Sequence, residues 1–149
     1  MASDYFKNAI SESLDVYRTC RRLYGVLQYH IDKASDGNEK DELSKAQLEL
    51  SELRNKMKDI MVKLYRLKGD FEERIKIIDG ATRQAVEEKL SAAQKLLQEG
   101  AVLESRIYEI GGMVYGEGWR PNPVWIGLGC DFGDEHSIFM ESQRKSKSF

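Results

Sequence analysis

The sequence predicts a mainly α protein. The expected fold is a long antiparallel three-helix bundle, coiled-coil-like, with a short glycine- and aromatic-rich C-terminal segment. Three observations predict it. Residues 1–110 contain no proline, and an interior proline costs a helix about 3 kcal/mol. Residues 39–79 carry an apolar seven-residue repeat, the signature of a helical seam. Both prolines, both tryptophans and seven of the twelve glycines fall at or after Gly111, where the chain should pass into turns and short extended pieces.

At 149 residues the chain suits one core, organised as a helical bundle over 1–112, a Gly/Trp-rich region over 113–143 and a basic tail over 144–149. Charged residues make up 32% and the net charge is −2. That suits long solvated helices and supplies no global field for nucleic acid or anionic membrane. The N-terminus has no secretory pattern, and no apolar run approaches the roughly 18 residues of a membrane span. With only two cysteines, Cys20 and Cys130, a reduced cytoplasmic setting is expected, or one within a soluble assembly.

The first helix is expected over 5–34. Ile10, Tyr17, Tyr24 and Ile31 form one heptad column. Ser13, Cys20, Leu27 and Ala34 form a second, with Ala9, Val16, Leu23 and His30 beside them. So broad a stripe fits a helix touching two neighbours. Asp36-Gly37-Asn38 supplies a short turn, with Gly37 as a stop and Asn38 as a cap for the next helix. A loop this short makes the two helices antiparallel.

The second helix is expected over 39–79. Its columns are Leu43, Leu50, Met57, Leu64, Phe71, Ile78 and Ala46, Leu53, Ile60, Leu67, Arg74, apolar at ten of eleven positions. The segment also holds ten acidic and ten basic residues. On one flank Glu42 and Glu49 give way to Lys56 and Lys63 and then Asp70, a pattern that sets register between helices. The phase fails after Ile78, at Asp79-Gly80. A helical hairpin fits there, with the third helix over 82–111 and Thr82 as its cap. A continuous helix with a stutter is the competing reading. The third stripe is Val86, Leu90, Ala93, Leu97, Leu103, Ile107 and Ile110.

Beyond it, Trp119-Arg-Pro-Asn-Pro-Val-Trp125 reads as stiff and extended. Residues 124–126 and 137–140 are candidate arms of a β-hairpin, a unit that is marginal in water unless packed on something.

Chemical motifs are sparse. The stretch GLGCDFGDEH at 127–136 contains DFG but lacks the strand lysine and catalytic loop that give a kinase DFG its role. Its glycine spacing lacks the strand–turn–helix setting of a phosphate loop. Cys130, Asp131, Asp134 and His136 are metal-ligand types, yet too few are Cys or His for a structural zinc site. A wet, glycine-permitted turn is the preferred reading. Cys20 reads as a small core residue, and His30 as a packing residue at the rim of its stripe.

No catalytic residue, cofactor or metal is therefore assigned, and a non-enzymatic role is expected. The leading expectation is a protein–protein interaction or structural assembly protein, such as a phage or secretion component or an adaptor, acting with a protein partner or a copy of itself. Its helix seam would be Leu43, Leu50, Leu53, Met57, Ile60, Leu64, Leu67 and Phe71. Its docking residues would be Tyr115, Trp119, Arg120, Trp125, Phe132 and Phe139, the residue types that anchor interfaces. The alternative is a nucleic-acid-associated protein using the basic block at 54–68 and the basic tail. A metal-dependent activity at 130–136 ranks below both.

Overall fold

A computed structural model describes residues 2–74, 80–128 and 133–146. Among them lie five helices and no strand. These are α1 (Ala2–Lys33), α2 (Gly37–Arg74), α3 (Gly80–Tyr115), α4 (Pro123–Leu128) and α5 (Gly133–Ser146). No described helix is long and apolar enough to cross a membrane. The break expected at Asp79-Gly80, with the Arg74 and Ile78 side chains and the Thr82 cap, falls on or beside 75–79, outside the described residues.

The turn between α1 and α2 differs from expectation in which residue caps. The amide of Ala34 still donates to the carbonyl of His30. Asp36, not Asn38, caps α2: its Oδ1 accepts the amide of Asn38 at 3.0 Å, and its carbonyl accepts the amide of Lys40. Gly37 is thus the first residue of α2 rather than a stop. A short acidic side chain one residue earlier already satisfies the free amides and opposes the helix dipole.

The chain packs as two compact units. Unit 1 comprises Met1–Leu14, Lys58–Ala101 and Phe132–Phe149, and unit 2 comprises Asp15–Met57 and Val102–Asp131.

In unit 2 the heptad positions of α2 are core. Leu43, Ala46, Leu50, Leu53 and Met57 are all buried, against Val16, Cys20, Leu23 and Leu27 of α1 and Ile107 and Ile110 of α3 as the other core residues. Along the helix-one column, Tyr17 and Ile31 are half-buried and Tyr24 is 40% exposed. The Sγ of Cys20 donates to the carbonyl of Leu50 at 3.0 Å, and the side chain of Gln47 donates to the carbonyl of Tyr24 at 3.3 Å. As the contacting numbers rise along α1 they fall along α2. Arg106 of α3 grips both carboxylate oxygens of Glu49, with its Nη2 at 2.8 Å from Oε1. Hydrogen bonds from Arg106 hold the Glu49 carboxyl below the usual carboxylate range.

In unit 1 the same columns continue. Ile60, Leu64 and Phe71 are buried, with Met61 and Val62 beside them, and Leu67 is half-buried. The ring of Phe6 meets that of Phe71 at 5.5 Å, and Ala93 and Leu96 supply the α3 side. Asp70 pairs with Lys89 at 3.2 Å, so two acids on the α2 flank, Glu49 and Asp70, each find a cation on α3.

The expected β-hairpin is overturned. Residues 124–126 lie in α4 and 137–140 in α5. In α5, Asp134, Ile138 and Ser142 are buried at i, i+4 and i+8, one helical face. That face lies on α2: Phe139 meets Tyr65 edge-on at 5.4 Å, Lys58 pairs with Glu141 at 2.8 Å, and Nε of Arg66 donates to the carbonyl of Ser142. A lone hairpin leaves its backbone edges bare, whereas a helix satisfies its own backbone and needs only one apolar face covered.

Two predictions test this core. Leu50→Ala in unit 2 and Leu64→Ala in unit 1 remove fully buried side chains and should each cost about 2–5 kcal/mol in chemical denaturation. The Cys20 thiol is pushed up to about 12 by burial, against about 8.5 for a free thiol. The folded state therefore keeps a proton that the unfolded chain releases. Stability from this group is complete below about pH 8.5 and is lost as pH rises toward 12, at up to about 1.4 kcal/mol per pH unit. Stability measured against pH should show this slope in the wild type and lose its onset near pH 9 in Cys20→Ala.

Candidate functional site

The chemistry-bearing candidates do not converge. Cys130, Asp131 and Phe132 lie outside the described residues. Asp134 is buried in the first turn of α5, where a carboxylate suits the helix dipole, and His136 is exposed. Among the described residues no three His, Cys, Asp or Glu side chains are grouped to hold a metal. Cys20 is buried and held protonated, which leaves it without the thiolate a nucleophile needs. His30 packs edge-on against Tyr29 at 5.4 Å.

The aromatic residues do converge. In unit 2, α3 runs a turn past Gly111 and Gly112 and ends at Tyr115. Gly116 follows with φ +107° and Gly118 with φ +82°, backbone that L side chains rarely adopt. The amide of Gly116 donates to the carbonyl of Gly112, and that of Trp119 to Gly116. This turn folds Trp119 back onto α3. The indole lies so close to Gly111 that a Cβ there would sit 2.2 Å from it. Gly111 stays helical and buried because the ring occupies the space of its missing side chain.

The segment 119–125 is not extended throughout. Asn122 caps α4, its Oδ1 accepting the amide of Trp125 at 2.8 Å, and Pro123 opens the helix. Proline is well suited to that first position, where its missing amide would have no partner. The short helix brings Trp125 back to Trp119.

Four rings thus form one cluster. Tyr115 stacks on Trp119 at 5.1 Å, Trp119 meets Trp125 edge-on at 5.1 Å, and Tyr108 meets Trp119 at 6.1 Å. Nε1 of Trp125 donates to the Tyr115 hydroxyl at 3.1 Å. Two arginines cover the edges. Arg22 lies over Trp125 at 4.5 Å and donates to its carbonyl; Arg120 lies over Tyr108 at 5.1 Å. Burial, with Glu104 nearby, raises the Tyr108 hydroxyl above its usual range, so it stays a neutral donor.

The cluster is only partly covered. Tyr115 is 44% exposed, Met113 48% and Val124 74%. Beside it a groove of about 630 Å³ is lined by Tyr108, Glu109, Met113, Glu117 and Arg120. Such a surface offers aromatic and thioether area, one guanidinium and two carboxylates.

Of the docking residues expected from sequence, Tyr115, Trp119, Arg120 and Trp125 come together. Phe139 belongs to unit 1, on Tyr65. The seam residues are buried within the chain, apart from half-buried Leu67. Sequence reasoning missed Arg22, which is 103 positions from Trp125 and has no local signal. It also missed Tyr108 and Gly111, although their i, i+3, i+7 spacing to Tyr115 on one helix face was available.

The glycines separate by what a methyl group would meet. Gly111→Ala should lose about 1–3 kcal/mol and alter near-ultraviolet circular dichroism as Trp119 is displaced. Gly25→Ala, with nothing within 4 Å, should gain up to about 1 kcal/mol in a helix interior. Equal effects from the two would refute the Gly111–Trp119 packing. Compared with known proteins, the chain matches no family model, no curated protein and no solved structure.

Proposed function

We propose that this chain is a non-enzymatic helical interaction protein, an adaptor or assembly component that docks on a protein partner through the aromatic face of unit 2. The observation that carries the reading is the braced cluster of Tyr108, Tyr115, Trp119 and Trp125, held rigid yet left partly open beside Arg120. Tyrosine, tryptophan and arginine dominate interface hot spots. Rings already locked by stacking and hydrogen bonds lose little side-chain entropy on binding.

The scaffold under this face is read as an antiparallel three-helix arrangement. Its supports are the short α1–α2 turn, the falling register between α1 and α2 in unit 2, and the Glu49–Arg106 grip. The α2 seam is not the docking surface in this reading, because the chain's own side chains already cover it. The basic block at 54–68 gives little support to nucleic-acid binding. Lys58 pairs with Glu141 and Lys68 with Glu72, so it is not one open cationic face.

The test is affinity capture from the native source, followed by titration of the protein recovered. The double variant Tyr115→Ala, Arg120→Ala should weaken that complex by about 30-fold or more. Leu48→Ala, at another exposed position, should leave it unchanged. Circular dichroism confirms that both variants remain helical. Unchanged affinity in the double variant would sink the proposal.

A further inference from the structure

We propose that unit 1 carries a second docking site, a groove between α2 and α3 that receives an acidic amphipathic helix from a partner protein. The groove holds about 350 Å³ and is lined by Lys63, Arg66 and Leu67 of α2 and by Ala92, Lys95 and Leu96 of α3. Both helices contribute residues at i, i+3 and i+4, the spacing of a single helical face. The surface inside is almost wholly apolar. The lysines and the arginine therefore lend it their aliphatic stems and carry their charge at its edge.

Charge selects the occupant. Among the described side chains, the other cations on α2 and α3 in this unit are matched: Lys58 with Glu141, Lys68 with Glu72, Lys89 with Asp70. Among the described residues, Lys63 and Lys95 form no ion pair. Arg66 is steadied by α5 through its Nε, which donates to the carbonyl of Ser142 at 3.3 Å. Carboxylates are the natural partners of the two exposed lysines at the rim of this apolar trough.

The shape favours a helix over a free lipid. Pockets for small ligands enclose most of the ligand's surface, whereas this trough is open along one side. A helix laid on it buries one apolar stripe and keeps its acids on either flank, the helix-in-groove mode with anchors at i, i+3, i+4 and i+7. The residues involved are all in unit 1 and share none with the aromatic face.

The experiment titrates two designed peptides onto the full chain by fluorescence anisotropy. Both carry leucines at groove spacing; one has glutamates along its flanks and the other lysines. The acidic peptide should bind at least about tenfold tighter, and its affinity should fall with added salt. Lys63 and Lys95 are both exposed, so Lys63→Glu with Lys95→Glu leaves the fold intact and should reverse the preference. The Tyr115→Ala, Arg120→Ala variant should bind the acidic peptide as the wild type does. Failure to bind, equal binding of both peptides, or indifference to the charge reversal would overturn the proposal. So would loss of peptide binding in the aromatic variant. Binding of phosphatidylglycerol vesicles or single-stranded RNA that the reversal abolishes, with the peptide unaffected, would overturn it in favour of those ligands.

Discussion

Burial of the α2 seam inside its own chain is the constraint on which the rest of the structure depends. Leu50, Met57 and Leu64 are among the least exposed side chains, and Leu43, Leu53, Ile60 and Phe71 are close behind. A helix with nine acidic and nine basic residues over Gly37–Arg74 has little reason to form a stable core except along that stripe. Once the stripe is covered, the flanks decide register. Glu49 and Asp70 meet Arg106 and Lys89, and these partly exposed pairs contribute modestly to stability. They act more to choose one alignment of helices over another.

The same burial bears on the proposed docking surfaces. The seam is covered by the chain's own side chains, and the exposed aromatic and apolar surface lies at its margins. In unit 2 that margin is the end of α3, where two glycines with positive φ return the chain and Gly111 admits the Trp119 ring. The cluster is stiff for identifiable reasons: stacking, the Trp125–Tyr115 hydrogen bond, two arginines over ring faces, and the Asn122 cap. In unit 1 the margin is the trough between α2 and α3, where Lys63 and Lys95 form no ion pair among the described residues.

Legibility varied with the range of the interaction. The long helices were readable because the heptad repeat is local and redundant: a weaker position, such as half-buried Leu67, does not disturb the pattern. Helix ends were less readable, since Asp36 and Asn38 are both good caps and only backbone geometry chooses between them. The β-hairpin expectation failed at Ile138 and Phe139 for a clear reason. A three-residue apolar run carries no period of its own, and contact with Tyr65 and Arg66, far away in sequence, decided in favour of a helix.

By itself the sequence determined that the chain is mainly helical and where the apolar repeat of α2 runs. Both follow from spacing within a few turns, where side chains at i, i+3, i+4 and i+7 must share a face. Tertiary structure alone decided that the seam is spent within the chain, that Arg22 lies over Trp125, and that Phe139 joins Tyr65 rather than the tryptophans. It also decided which members of the basic block find acids and which, Lys63 and Arg66, are left beside an apolar groove. Such pairings depend on distances between segments far apart in the chain. No local spacing carries them, because they exist only once the helices have packed.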